Sequence, residues 1–523
     1  MKKAFDNKKY LELQSENILN RVNKFGNKLY LEFGGKLFDD YHASRVLPGF
    51  APDTKLKMLL KIKEKVEVVI VINAKDIEKN KIRGDLGINY ESEVLRLIDA
   101  FRATKLYVGS VCIAQYHSVP QVDSFNKKLN NLGIKTYLHY EIKGYPHDIS
   151  NIISEDGFGK NEYIETTRPI VVETAPGPGS GKMATCLSQL YHENKKGIKA
   201  GYAKYETFPI WNLPLKHPVN LAYEAATADL NDVNMIDPYH LEHYNQMAVN
   251  YNRDVEIFPV LKAMFEAIYG ESPYKSPTDM GVNMVGFSIS DDEVARQASK
   301  DEIIRRYLRV QCDLRNGKVS TQALDKIALL MRQLDISVSD RKCVAKAIEK
   351  SEKTGTVSMA MELEDGTLIS AKTSDLLTAP AALLLNALKH ITKINDELLL
   401  ISPSIIEPIS RMKTQDLGNH NPRLHADEVL IALAISATTN PLAELAMKKL
   451  EKLANCQAHS SVILPQIDEQ VYKKLKIDVT SEPQVYAKKL YTKKKVPFGT
   501  FFRIYMVLNQ YSHSNYIRIL LIH

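Results

Sequence analysis

Cysteine is scarce: five among 523 residues, Cys112, Cys186, Cys312, Cys343 and Cys456, far apart and odd in number. No two have the C-x-x-C spacing of a zinc or redox site, so the economical expectation is a reduced, cytoplasmic protein and not a disulfide scaffold. Also missing is any uninterrupted apolar stretch of the roughly 18 residues that a membrane helix needs. The N-terminal MKKAFDNKKYLELQSENIL is charged throughout and lacks an apolar core, which argues against a secretory signal. Acidic residues are absent beyond Glu482, where seven lysines and arginines follow. Without those seven, Lys plus Arg falls from 69 to 62, equal to the 62 of Asp plus Glu. The formal charge of +7 therefore belongs to the tail. The body has no basic excess for a nucleic-acid-binding face. Internal repeats and long low-complexity linkers are absent too.

What remains is an ordinary globular composition, 44% hydrophobic and 25% charged, long enough for two or three domains. Residues 65–209 alternate strands with helices. The run VEVVIVINA (66–74) reads as a strand buried on both faces. Further strands are expected at 105–116, 134–140, 168–175 and 200–210, with amphipathic helices at 91–102 and 125–132. Strands joined by crossover helices predict a mainly parallel α/β sheet. From Pro218 to Leu334 the apolar period changes to 3.6, predicting helices. A hairpin with a Glu-Asp-Gly turn is expected within 358–373. Helices at 379–392, 426–438 and 442–454 then interleave with the apolar runs ELLLIS, SSVILP and LKIDVT. The expected divisions are an N-terminal α/β domain (1–215), a helical region packed on it (216–336), a C-terminal α+β domain (337–494) and a basic, apolar tail (495–523). The tail has no clean period and is expected to be poorly ordered, with few contacts to the body.

One motif carries chemistry. Pro176-Gly177-Pro178-Gly179-Ser180-Gly181-Lys182-Met183 lies where an expected strand turns into a helix. Successive N–H groups at such a turn converge on an anion, the helix start adds partial positive charge, and Lys182 can reach terminal phosphates. The candidate phosphate-binding residues are Gly177, Gly179, Ser180, Gly181, Lys182, Met183 and Ala184. The loop departs from the G-x-x-x-x-G-K-[ST] pattern twice. Pro176 takes the first glycine position, and Met183 replaces the hydroxyl that would hold magnesium. Thr185 does not substitute, being about 200° further around the helix. No later strand ends in a second magnesium-binding aspartate, so magnesium is not expected to be essential. The competing reading is a purely structural turn, tight enough to pack a helix on a strand.

Weaker constellations surround it. The stretch FGGKLFDDYHASR offers Gly35, Lys36, His42 and Arg45 as secondary candidates, against a plain turn with solvated charges. Asp76 and Asp85 follow the strand at 66–74, where ligands gather in parallel sheets. Arg423 and His425 precede a helix and form either an anion site or an ordinary helix start. Asp85, Lys204 and Glu206 are the weak candidates for acid–base work. Cys186, just inside the helix, is expected to pack against the sheet.

Several stretches together resemble one family. They are YLEFGGKLFDDYHASRVLPGFAPD, VIVINAKDIE, RGDLGI, TAPGPGSGKMATC, the segment 201–241 beginning GYAKYETFPIWNLP, NYNRDVEIFPVLK, SPTDMGVNMVGF and NPRLHADEVLIALAISAT. The chain is similar over residues 1–493 to the bacterial uncharacterised protein family 0371. The resemblance implies an α/β N-terminal part and a separate C-terminal domain. It carries no activity, substrate or catalytic residue across.

Two functions follow as expectations. One is a cytoplasmic protein that binds a nucleotide or another small phosphorylated metabolite at residues 176–184. The other is a non-enzymatic homo-oligomeric assembly protein, in which the glycine turn is structural and the helical region makes the contacts.

Overall fold

The computed structural model describes residues 2–35, 37–38, 40–83 and 86–485. Lys36, Asp85 and the tail 495–523, all named above, lie outside them. The chain divides into two compact units, Met1–Lys342 and a second from Cys343 onward.

The first unit is built on six parallel strands: β1 (Leu29–Phe33), β2 (Val66–Asn73), β3 (Tyr107–Tyr116), β4 (Lys135–Tyr140), β5 (Ile170–Thr174) and β6 (Gly201–Tyr205). Their order across the sheet is β4-β3-β2-β5-β1-β6. Alternation along the strands divides the core. Val66, Val68, Ile70 and Ile72 of β2 pack on one side with helices α1 (Asn7–Lys24), α2 (Tyr90–Ala103) and α3 (Pro120–Asn131). Val69 and Val71 face the other side, under α4 (Lys182–Lys195) and α5 (Asn252–Tyr269). Helices on both faces explain why β2 is buried at every position. Glu67 is tolerated inside that run because it accepts from the backbone of Thr167 at 2.7 Å and Arg168 at 3.3 Å. Gly109 on β3 leaves room for its side chain, since a Cβ there would lie 2.0 Å from the carboxylate.

Five of the six strands fall where the apolar runs put them. The sixth, β1, has no sequence expectation: LYLEF is short, and Glu32 breaks its apolar run. The glycine loop accordingly follows the fifth strand in chain order. Residues 218–333 are dominated by helices, among them α5 and α6 (Asp292–Arg315), but include an antiparallel strand pair, Asn234–Ile236 with Val249–Tyr251.

The second unit carries a four-stranded sheet of β7 (Ser358–Glu362), β8 (Leu368–Lys372), β9 (Gln457–Ser460) and β10 (Asp478–Ser481), in the order β8-β7-β9-β10. The hairpin β7–β8 is antiparallel and β9–β10 is parallel. Its core includes Leu383, Leu384 and Leu388 of a helix at Ala379–Thr392. ELLLIS is not a strand; the segment is irregular and leads into a helix at Pro403–Arg411.

Candidate functional site

The chain leaves β2 toward β3 on one side of the sheet and leaves β5 toward β6 on the other. Because β2 and β5 are neighbours, their carboxyl ends flank the point where the winding reverses, the usual place for a ligand in an open parallel sheet. The glycine loop starts there, directly after β5.

Gly181 precedes α4 in the left-handed region, at φ 96°, and supplies no side-chain cap. Gly179 is left-handed as well, at φ 75°, and a Cβ on it would meet nothing within 4 Å. Gly177 is constrained differently: a Cβ there would lie 2.1 Å from the Tyr90 hydroxyl. Asn73, at the end of β2, donates to the Gly179 carbonyl at 3.3 Å and to Gln115 at 3.2 Å, bracing the loop. Among the described residues, the backbone N–H groups of Gly177, Gly179, Ser180, Gly181, Lys182, Met183 and Ala184 donate to no protein acceptor. The first hydrogen bond of the turn runs from Thr185 N to Gly181 O, at 2.9 Å. Ser180 is 1% exposed, and its buried hydroxyl also has no partner among the described residues. Thr185 turns its hydroxyl back onto the Gly181 carbonyl at 3.1 Å. Cys186 is buried, and burial pushes its thiol well up, reinforced by the Glu173 and Glu32 carboxylates.

Beside the loop lies a charged row on the α4 face. Glu173 of β5 pairs in register with Glu32 of β1, and Glu32 with Lys204 of β6. Glu173 is fully buried, and among the described residues its carboxylate oxygens have no hydrogen-bond partner apart from the neighbouring Cys186 thiol. Burial, reinforced by Glu32, pushes its carboxyl well above the usual range, against the opposing pulls of the Cys186 thiol and the Lys182 ammonium. Glu32 accepts from the Tyr202 hydroxyl at 2.6 Å. Tyr145 is exposed at its ring, yet burial of its hydroxyl together with the Glu32 charge raises it to about 12. Lys204 donates to both oxygens of Asp254, at 2.8 and 2.6 Å, and lies 3.4 Å from Glu206. Arg253 approaches Asp232 at 3.6 Å and Glu206 at 3.9 Å. Burial pushes the Glu206 carboxyl up, against the pull of Lys204.

The remaining sequence candidates are dispersed. Asp76 pairs with Lys81 at 3.0 Å, and Lys81 sits over the Tyr90 ring, whose hydroxyl abuts Gly177. Gly35, at φ 69°, borders Lys55, which pairs with Asp40 at 2.9 Å. His42 and Arg45 both engage Glu302 of α6, at 3.1 and 2.7 Å. In the second unit, His425 binds Asp468 at 2.8 Å and begins a helix at Ala426, while Arg423 donates to the Ser374 carbonyl at 2.6 Å. Both side chains there serve a helix start and its neighbouring loop. No group of three His, Cys, Asp or Glu among the described residues is placed to hold a metal ion. Nor is any described helix long and apolar enough to cross a membrane.

Lys204 and Glu206 are thus brought together, whereas Glu32, Glu173, Asp254 and Asn73 have no sequence expectation. The one available signal was an acid inside an apolar strand, as in LYLEF and IVVET.

Comparison with known proteins gives a consistent family. The model described as "Domain of unknown function DUF1846, N-terminal" matches residues 3–335, and its C-terminal counterpart matches 339–491. A UPF0371 protein of Streptococcus thermophilus is 57% identical over 492 residues, covering 94% of this chain and 100% of the relative. A UPF0371 protein of Streptococcus pyogenes serotype M6 is 56% identical over 490 residues, covering 94% and 99%.

Proposed function

The chain belongs to uncharacterised protein family 0371, and we propose that this member binds the phosphate of a nucleotide or another phosphorylated metabolite at residues 176–184. The observation that carries the reading is the set of N–H groups from Gly177 to Ala184 without protein acceptors, at a helix start on the switch point of the sheet. The first N–H groups of a helix have no intrahelical acceptor, and a loop that leaves several of them together at a partly exposed point suits an anion. The open space over Gly179 leaves the loop accessible to a ligand. Lys182, at the first helical position, adds a positive charge beside the loop. The ligand is held without a metal in this reading, because backbone dipoles and Lys182 supply the positive field.

The test is thermal unfolding and calorimetry of the full chain with orthophosphate, ATP, GTP and sugar phosphates. A ligand-dependent rise in Tm that is lost in a loop variant supports the reading. Equal behaviour of the wild type and that variant with every compound would exclude it.

A further inference from the structure

We propose that the phosphorylated ligand is a sugar phosphate, with its phosphate on the glycine loop and its hydroxyls on the row Glu32, Glu173, Lys204, Glu206 and Asp254. The inference rests on the phosphate-loop reading and adds the chemistry of the rest of the ligand. Glu173, Glu32 and Lys204 occupy the penultimate positions of β5, β1 and β6, in register and on one face. Neighbouring strands are about 4.8 Å apart, so the row starts beside the loop and runs about 10 Å along the rim. That is the reach of one sugar ring attached to a bound phosphate.

The hydrogen-bonding capacity left open favours hydroxyls. Among the described residues, the oxygens of the fully buried Glu173 have no partner apart from the weak donor Cys186, and the buried Ser180 hydroxyl in the adjoining loop has none. Native structures seldom leave such groups unpaired. A sugar hydroxyl donates and accepts at once, so it can serve Glu32 or Glu206 as donor and Lys204 as acceptor. The outer members are reachable: the side chains of Lys204, Glu206 and Asp254 keep 12, 20 and 11% exposure.

Other ligand parts fit less well. A nucleobase needs an apolar slot with a few placed polar groups, and this row presents charge at successive positions. Further phosphates would meet Glu32, Glu206 and Asp254, like charges at close range. One phosphate with a neutral, polyhydroxylated remainder satisfies both limits.

The experiment is calorimetric titration of the full chain with glucose 6-phosphate, fructose 6-phosphate and ribose 5-phosphate, set against methyl phosphate and AMP. A hydrogen bond to a charged group contributes about 1.5–3 kcal/mol, so at least one sugar phosphate is expected to bind about tenfold or more tightly than methyl phosphate. Glu206→Gln and Glu32→Gln are each expected to remove most of that advantage while leaving methyl phosphate affinity unchanged. Glu206, the more exposed, keeps the test open should Glu32→Gln fail to fold. If methyl phosphate binds but no sugar phosphate binds better, or if AMP binds tightest, the sugar inference is overturned and the loop reading stands. If no phosphorylated probe binds, both fall.

Discussion

Glu32 and Glu173 are register partners on adjacent parallel strands, so two carboxylates project side by side from one face of the sheet. Like charges at that spacing, one of them fully buried, do not both ionise easily. The Glu173 carboxyl is accordingly pushed up by burial and by Glu32, and it stays protonated above the usual carboxylate range. A folded-state value raised above the unfolded one stabilises most at low pH. That contribution is lost as pH rises through the folded value. Glu173→Gln should therefore raise Tm at pH 8 and change it little at pH 4.5. The gain should grow by no more than about 1.4 kcal/mol per pH unit. A gain independent of pH would show that Glu173 titrates normally.

Lys182 opens α4 beside the loop, where its ammonium pulls on the buried Glu173 carboxyl. Lys182→Ala should weaken binding of orthophosphate or a sugar phosphate about tenfold or more, the cost of one charge-assisted hydrogen bond. The unliganded Tm should hardly move. Equal ligand-induced stabilisation in wild type and variant would remove the phosphate-loop reading.

The three loop glycines should respond differently. Gly177→Ala drives a methyl group into the Tyr90 hydroxyl and ring, so it should destabilise the first unit and displace the loop. Gly179→Ala meets open space and bears only the left-handed backbone penalty, about 1–2 kcal/mol. Gly181→Ala bears the same penalty and also presses on Ala114, with its Cβ 2.9 Å away. Chemical denaturation should rank Gly179→Ala as the mildest. Equal costs at all three would mean that the loop adapts freely around its neighbours.

How far this site was legible in the sequence depends on the range of the contacts involved. VEVVIVIN and the glycine turn are local signals, a continuous apolar run and a set of residues needed for left-handed backbone, and both elements lie where the sequence puts them. Hairpin β7–β8 was equally local. The charged row is not local. Glu32, Glu173, Lys204 and Asp254 come from three strands and a helix, and only the order β5-β1-β6 brings them together. That order skips a neighbour twice in the chain, which no periodicity records. Missing β1 hid Glu32 as well. His42 and Arg45 show the same limit from the other side: they are close in sequence, yet their shared partner, Glu302, is remote.

Magnesium should alter ligand affinity little. Met183 stands where the motif places a coordinating hydroxyl, and the Thr185 hydroxyl is turned onto the Gly181 carbonyl. A magnesium ion needs near-octahedral oxygen ligands, usually with a carboxylate among them. Calorimetric titration of ATP or a sugar phosphate with magnesium and with EDTA should give affinities within about twofold. Such a difference is small beside the tenfold that 1.4 kcal/mol represents. Strict magnesium dependence would mean that oxygen ligands reach the loop from a neighbouring segment.

Lys204 is the cation of the row, and its charge state is tied to Asp254. Burial alone would lower its pKa, but the carboxylates of Asp254, Glu206 and Glu32 together raise it. Removing one partner of a buried ion pair leaves the other uncompensated, at a cost of about 3–5 kcal/mol. Lys204→Met should be destabilising on that scale, because Asp254, Glu206 and Glu32 would then face one another across little solvent. Asp254→Asn should cost less, since Glu206 remains 3.4 Å from the ammonium. The double variant should be more stable than the sum of the two single losses predicts, by a coupling of about 1–3 kcal/mol. The raised pKa also sets a sign: the contribution of Lys204 is complete below its ordinary value of 10.5 and is lost as pH rises through the higher folded value. Alkaline unfolding should therefore begin at lower pH in Asp254→Asn than in the wild type. Strictly additive losses, with identical alkaline midpoints, would show that the two residues share a location without sharing an interaction.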